Sequence, residues 1–198
     1  MPGMDHRDLT RALRLTSIAV IATGLVVLAF QFTGDAHMAV PADEVGSEGH
    51  SLQRTLASPK PAPSFILPRL TGAGSVVLNR MAGHVVVINF WASWCTDCRK
   101  EAPDLAALWR TYGSRGVRFV GIDYVDGHDA ALGFLHSISV PYPVIVDRSG
   151  QVGAEYGLQG LPTTFIVDAA GRVRYRALGL LHVASFRAAL DAVVHHST

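Results

Sequence analysis

The only two cysteines of this 198-residue chain, Cys95 and Cys98, stand two residues apart directly after an apolar run. That run, His84–Trp91, is too uniformly apolar for a strand with one face in water, so we expect a central strand buried on both faces. The apolar residues after Cys98 recur at helical spacing as far as Tyr112, which predicts a helix that begins at Cys95. Two thiols at the start of a helix can form and break a disulfide without moving the backbone, and this arrangement predicts redox chemistry.

The chain beyond residue 61 alternates short strands with helices. Further strands are expected at residues 65–67, 75–78, 117–124, 143–147, 163–167 and 173–177. Further helices are expected at residues 128–137 and 183–194. Strands that alternate with helices, followed by a terminal hairpin and helix, indicate an α/β fold in which helices cover a mixed central sheet.

The N-terminal part of the chain carries a signal of its own. Leu15–Phe32 holds no charge over 18 residues, a length of roughly 27 Å as a helix, which is close to the thickness of a bilayer core. Arg7, Arg11 and Arg14 precede it, so we expect residues 1–14 in the cytoplasm, a transmembrane anchor at 15–32 and the remainder outside. A cleaved signal peptide is the main alternative and a buried core helix the other. Anchor and signal peptide both place the cysteines in an oxidising compartment.

Composition suggests how the remainder is organised. Residues 33–60 are rich in Gly, Ser, Pro, Ala and acids without a sustained period, and we expect a flexible tether ahead of a folded domain at 61–198. A net charge of +1 without a clustered basic face argues against a nucleic-acid surface. Two adjacent cysteines cannot connect distant parts of a fold, so the core must hold the domain together.

Two segments carry a resemblance to a known family. Asn89–Pro103 resembles the active-site segment of thioredoxin-fold proteins, and most of all that of the membrane-anchored TlpA, ResA and CcmG type of thiol–disulfide oxidoreductases. Gly160–Asp168 resembles their cis-proline segment. The resemblance covers about residues 61–194 together with the preceding anchor. Asp97 stands where many relatives have proline, and Asn89 stands where ordinary thioredoxins have a buried acid, which relatives of the ResA type also lack.

The resemblance implies a thioredoxin-like fold and a function. The function is an extracytoplasmic thiol–disulfide oxidoreductase that reduces or exchanges disulfides without a bound cofactor or metal. Its implied clients are apocytochrome c and other exported thiol proteins, and its implied partner is an integral membrane electron donor. Reductants and oxidants share this fold, and the likeness favours a reductant.

The roles of the two sulfurs follow from their positions. Unpaired N–H groups and the helix dipole at Cys95 favour a thiolate, so we expect Cys95 to attack a client disulfide. Cys98, one turn further, would resolve the mixed disulfide. Glu101, which occupies the place of a glutamate in ResA-type relatives, could accept the Cys98 proton, and the alternative is a solvated surface carboxylate. Asp97 would oppose a thiolate at Cys95 unless its carboxylate points to water.

Three residues are candidates for binding a client. The resemblance implies a cis peptide bond before Pro162, with the backbone of Leu161 free to pair with an extended client; an ordinary trans proline is the alternative. Trp94, beside the active thiol, is expected to form an apolar contact surface, whereas Trp91 is expected in the core.

Two other functions use the same cysteines. A zinc or copper module would need further ligands, and no histidine stands at a recognisable spacing from the pair. A peroxiredoxin-like peroxide reductase would need a Pro-x-x-x-Thr-x-x-Cys context, which residues 89–94 do not supply. The leading hypothesis therefore remains disulfide reduction through Cys95 and Cys98.

Overall fold

The computed structural model describes residues 52–196. Its strands are β1 Leu52–Pro61, β2 Ile66–Pro68, β3 Ser75–Val77, β4 Val86–Trp91, β5 Arg118–Tyr124, β6 Val144–Asp147, β7 Thr163–Val167 and β8 Arg172–Leu178. Its α-helices are α1 Thr96–Gly113, α2 His128–Ser137, α3 Gln151–Glu155 and α4 Val183–His195. A single 3₁₀ turn, Leu78–Met81, follows β3.

Six strands form one mixed sheet in the order β1-β8-β7-β4-β5-β6, and β2 pairs with β3 in a separate hairpin. Strands β4, β5 and β6 run parallel, whereas β7, β8 and β1 pair antiparallel with their neighbours. All six residues of β4 are buried, as its uniformly apolar sequence predicts. The α/β architecture with a mixed sheet and a thioredoxin-like order of elements is confirmed.

Both faces of the sheet are covered by apolar clusters. On one face, α1 and α4 contribute Leu108, Tyr112, Phe186 and Leu190, which are almost completely buried against β4, β7 and β8. On the other face, the β2–β3 hairpin and α3 cover a second cluster. A third cluster, at the carboxyl end of β4, contains both cysteines and packs against α2. The sheet and its two cores therefore hold the start of α1 in place.

The prediction of a flexible tether at residues 33–60 is wrong from residue 52 onward. Residues 52–61 form β1, an edge strand that pairs antiparallel with β8 from Leu52 opposite Leu178 to Pro61 opposite Arg172. Only every third residue of β1 is partly buried, so the strand lacks the alternation by which strands are recognised. The hydrogen-bonding partner that makes this segment a strand lies more than 100 residues further along the chain.

Among the other predicted segments, some have the expected bounds and others lie outside the described residues. Helix α2 and strand β7 have the bounds that the sequence predicts, and the five-residue helix α3 was not predicted. The expected cytoplasmic segment 1–14, the anchor 15–32 and the first part of the tether lie outside the described residues. Within residues 52–196, no helix has the length and apolar character needed to cross a bilayer.

We expect a chain that begins at residue 62 to be less stable than one that begins at residue 52, because only the second retains β1. A backbone hydrogen bond contributes about 0.5–1.5 kcal/mol net, so losing the ladder to β8 should lower the free energy of unfolding by roughly 2–4 kcal/mol. Urea unfolding followed by circular dichroism measures the difference. Equal stabilities would contradict the assignment of this segment to the sheet.

Candidate active site

The site lies where β4 ends and α1 begins. Cys95 is the N-cap residue of α1, and its Sγ accepts a hydrogen bond of 3.1 Å from the backbone N–H of Cys98. The N–H of Cys95 in turn donates to the carbonyl of Ala92 at 3.1 Å, which closes the turn that leads from the strand. A sulfur at this position faces the unpaired N–H groups and the positive end of the helix dipole, both of which stabilise a thiolate.

The two cysteines form a disulfide with each other in this structure. Cys95 is 7% exposed and Cys98 is 4% exposed, so Cys98 is the more deeply buried of the two, as its place one turn into the helix predicts. Both belong to the apolar cluster that also contains Trp91 and Phe134, whose rings stack with centroids 4.5 Å apart. The disulfide therefore packs against buried apolar side chains.

Glu101 is a buried acid that joins four segments of the chain. One carboxylate oxygen, Oε1, accepts hydrogen bonds from Asn89 Nδ2 at 2.9 Å and from Thr164 Oγ1 at 3.3 Å. The other oxygen, Oε2, accepts from the backbone N–H of Leu181 at 2.9 Å. The side chain of Glu101 thereby ties α1 to β4, to β7 and to the segment before α4.

Burial sets the acidity of Glu101. The residue is 2% exposed, which contradicts the alternative of a solvated surface carboxylate. Loss of hydration raises its pKa to about 8 against the opposing effect of its hydrogen bonds from Leu181, Thr164 and Asn89. Since Glu101 lies three residues after Cys98 on α1, the two side chains share one face of the helix. A carboxyl with this pKa is well matched to exchange a proton with a thiol.

The proline segment lies against the cysteines. The Leu161–Pro162 peptide bond is cis, as the resemblance implies. Leu161 packs against the same apolar cluster as Cys95 and Cys98. The carbonyl of Pro162 accepts a hydrogen bond of 2.9 Å from Gly179, whereas Leu161 has no backbone hydrogen bond to another backbone group in residues 52–196. Its peptide groups are thus open to an extended chain.

The remaining candidates are divided between surface and core. Trp94 is 65% exposed directly before Cys95, while Trp91 is 4% exposed and belongs to the core, as the sequence predicts. The carboxylate of Asp97 is half-exposed and pairs with Lys100 at 2.8 Å. An exposed, paired carboxylate has little effect on a neighbouring thiol because solvent screens it.

Two acids that the sequence analysis did not select lie beside this site. Asp126 accepts hydrogen bonds from the backbone N–H of Ser93 at 2.6 Å and from its hydroxyl at 3.0 Å, and so fixes the turn before Cys95. Asp123 is completely buried at the end of β5. The sequence did offer a signal for Asp123, because it is an acid inside a mostly apolar strand and buried acids are rare.

Metal binding finds no support in the geometry of residues 52–196. No group of three or more His, Cys, Asp or Glu side chains in that part of the chain is placed to hold an ion. The two cysteines are engaged with each other as a disulfide.

Comparison with known proteins gives a consistent result. The family model described as AhpC/TSA matches residues 59–176. The chain is 37% identical over 131 residues to the thiol:disulfide interchange protein DsbE of Allochromatium vinosum, covering 64% of this chain and 71% of that protein. It is 32% identical over 120 residues to the thiol-disulfide oxidoreductase ResA of Bacillus thuringiensis strain Al Hakam, covering 61% and 69%.

A solved structure shares the fold over nearly its whole length. The crystal structure of a thiol:disulfide interchange protein of the thioredoxin family from Chlorobium tepidum superposes with a TM-score of 0.62 at 29% identity. The match covers 70% of this chain and 99% of that one. The part of the chain that carries β-sheet and cysteines is therefore the part with known relatives.

The raised pKa of Glu101 makes stability depend on pH. Because the pKa is about 8 in the folded protein and 4.5 ordinarily, the folded state binds more protons between those values, and the free energy of unfolding falls as pH rises through this window. Glu101→Gln cannot ionise and should lose its share of that slope, roughly 1.4 kcal/mol per pH unit for one proton.

Urea unfolding at several pH values across this window measures the slope. Glu155→Gln removes an exposed glutamate on α3, which covers the other face of the sheet, and is the matched control that should retain the full slope of the unchanged protein. A slope in Glu101→Gln as steep as that of the control would contradict a neutral, buried Glu101.

Proposed function

Since the chain belongs to the AhpC/TSA family and is a thiol–disulfide oxidoreductase of the DsbE and ResA type, we propose that it reduces disulfide bonds in exported proteins. The observation that carries the proposal is the placement of Cys95 Sγ at the N-terminus of α1, where it accepts the Cys98 N–H. Leu161, whose bond to Pro162 is cis, packs against the cluster that contains both cysteines, which supports the proposal.

The reaction begins on the reduced enzyme. The Cys95 thiolate attacks one sulfur of a client disulfide, the client S–S bond breaks, and the released client thiolate takes a proton from solvent. Cys95 and the client are then joined by a mixed disulfide. The helix N-terminus makes Cys95, and not Cys98, the thiol that is ionised at the start.

Resolution requires Cys98 to lose a proton. With a pKa of about 8, roughly one in ten Glu101 side chains is ionised at pH 7, and this fraction can take the Cys98 proton. The Cys98 thiolate attacks Cys95 Sγ, the second client sulfur leaves, and the enzyme returns to its disulfide form. Two electrons have moved from the Cys95 and Cys98 sulfurs to the client, and the proton on Glu101 passes to solvent.

The client binds through two features of the site, the side chain of Trp94 and the backbone of Leu161. The exposed ring of Trp94 offers apolar contact beside the reacting sulfur. The open backbone of Leu161, held by buried Pro162, can pair with an extended client segment as an added strand. An unfolded polypeptide with an exposed cysteine bridge fits this surface better than a folded protein, because it can lie extended along Leu161.

The cellular setting rests on the N-terminal sequence. The uncharged run 15–32 behind three arginines supports a membrane anchor with residues 33–198 outside the cytoplasm. In that setting apocytochrome c is the first client to consider, followed by other exported thiol proteins. An integral membrane electron donor would supply the two electrons that restore the dithiol.

Replacing the resolving sulfur should trap clients. In Cys98→Ala, the mixed disulfide with Cys95 cannot be resolved, so clients should accumulate as covalent adducts that dissociate on treatment with a reductant. Mass spectrometry of adducts purified from cells of the native organism identifies the clients and shows whether they are exported. Cys95→Ala is the matched control and should give no adducts.

Adducts with Cys95→Ala but not with Cys98→Ala would reverse the two roles. A peroxide-consumption assay on the same preparations separates the alternative of a peroxide reductase, which would turn over peroxide without any disulfide client. Capture of cytoplasmic proteins alone would contradict the extracytoplasmic setting.

Glu101→Gln should slow resolution but not the first attack. Loss of a positioned proton acceptor should lower the rate of resolution by about a hundredfold. The rise of that rate with pH through about pH 8 should also vanish, because the carboxyl that titrates there is gone. Stopped-flow decay of a preformed mixed disulfide with a thiol peptide measures the step. Glu155→Gln should resolve at the unchanged rate, and a Glu101→Gln rate equal to that control would contradict the role.

A further inference from the structure

Asp123 is an acid that the reaction described above leaves unused. Three acids are buried in the part of the chain that the structure describes: Glu101, Asp123 and Asp147. Glu101 accepts three hydrogen bonds, and Asp147 accepts two, from the N–H of Gly153 at 2.8 Å and from the hydroxyl of Ser149 at 3.4 Å. Both oxygens of Asp123 lack a hydrogen-bond donor among residues 52–196. An ionised carboxylate without donors at 0% exposure is strongly unfavourable, so this position favours a protonated carboxyl.

The side chain of Asp123 lies on the face of the sheet that carries the cysteines. Asp123 is the cross-strand neighbour of Trp91 on β4 and of Val146 on β6, both of which belong to the cysteine cluster. Trp91 Nε1 lies 3.1 Å from the position that a Cβ on Gly121 would take, so Trp91 covers the face of Gly121. Because Asp123 is two residues after Gly121 on the same strand, it shares that face.

Asp126 connects this carboxyl to the active-site turn. Its carboxylate accepts three hydrogen bonds, two from Ser93 and one of 2.8 Å from the N–H of Gly127. Val125 between the two acids has φ of +47°, in the left-handed region that a β-branched residue rarely adopts. This strained turn brings the carboxylate of Asp126 back towards Asp123 while it holds Ser93, two residues before Cys95.

We propose that Asp123 is a positioning residue for Cys95. The carboxyl of Asp123, next to Asp126, carries a proton while Cys95 is a thiolate and releases that proton when Cys95 enters the disulfide. The inference deepens the thiol chemistry proposed for Cys95 and rests on it. Partly exposed Asp126 gives the proton a path to solvent. A neutral Asp123 adds no negative charge beside the thiolate, whereas an ionised Asp123 would oppose it.

The electrostatics of the site support this proton. Burial first, and then the charge of Asp126, raise the pKa of Asp123 to about 7, while Arg148 acts in the opposite direction. Arg148 is exposed, so solvent screens its opposing effect. The charged and titratable groups on the segments around this position are Asp126, Arg148, Cys95, Cys98, His128, Asp129 and Asp147.

Protons and electrons balance with solvent as the source. Two electrons from a donor dithiol break the Cys95–Cys98 bond and leave a thiolate on Cys95 and a thiol on Cys98. The new negative charge at Cys95 increases the affinity of Asp123 for a proton, which comes from solvent through Asp126. By thermodynamic linkage, Cys95 binds a proton less tightly when Asp123 is protonated than when Asp123 is ionised, and the two effects have the same size in free energy.

The test is the titration of Asp123 in both redox states. Carbon-13 NMR of the aspartate Cγ atoms in the full-length protein follows each carboxyl, and Asp123→Asn identifies the Asp123 resonance by its loss. We expect the midpoint of Asp123 to be at least half a pH unit higher in the reduced protein than in the oxidised protein, about a threefold change in proton affinity. Equal midpoints, or an Asp123 that is already ionised at pH 5 in both states, would overturn the proposal.

Two further measurements separate this result from other causes. Asp129→Asn removes a carboxylate from the exposed first turn of α2 and should leave the redox-dependent shift of Asp123 unchanged; loss of the shift in this control would overturn the proposal. Alkylation of the reduced protein, read out by mass spectrometry, reports whether Cys95 reacts before Cys98. If Cys98 reacted first, the proposed roles of the cysteines would fail, whereas a shift of Asp123 would still show that it senses the state of the bridge.

Discussion

The hydrogen bonds of one buried carboxyl, Glu101, hold together the parts of the protein that its chemistry requires. They join α1 to β4 through Asn89, to β7 through Thr164, and to the segment before α4 through Leu181. Thr164 follows the cis Leu161–Pro162 bond by two residues, so the same contacts position the proline segment against the start of α1. Removing water from Glu101 raises its pKa, and the group that organises the site thereby becomes suited to exchange a proton within it.

Two acids near the cysteine cluster, Glu101 and Asp123, are buried. Glu101 follows Cys98 by three residues on α1, Asp123 is the cross-strand neighbour of Trp91, and burial raises the pKa of each acid. Acidic residues close to a thiol would normally oppose its ionisation. Because burial favours the neutral form of each acid, their charges oppose a thiolate less, and the N–H groups at the start of α1 stabilise it.

Packing gives this arrangement its rigidity and its openness. The stacked rings of Trp91 and Phe134 and the buried side chains of α2 form a floor beneath the disulfide. Above it, Trp94 is exposed and the backbone of Leu161 is unpaired with other backbone among residues 52–196. The exposed upper surface leaves the backbone of Leu161 accessible to an extended segment, and in such pairing the main-chain hydrogen bonds supply the affinity.

The sequence by itself determined the central strand, the helix that begins at Cys95, the cysteine pair and the proline segment, because each is written in residues that are close together along the chain. Uniform apolarity marks β4, helical spacing marks α1, and local motifs mark Cys95 and Pro162. Only the tertiary structure decided that residues 52–61 form a strand, that Glu101 is buried, and that Asp123 meets Asp126 beneath the turn at Ser93. Edge pairing, desolvation and the convergence of charges depend on partners distant in sequence, and no local pattern records which partners the fold will bring together.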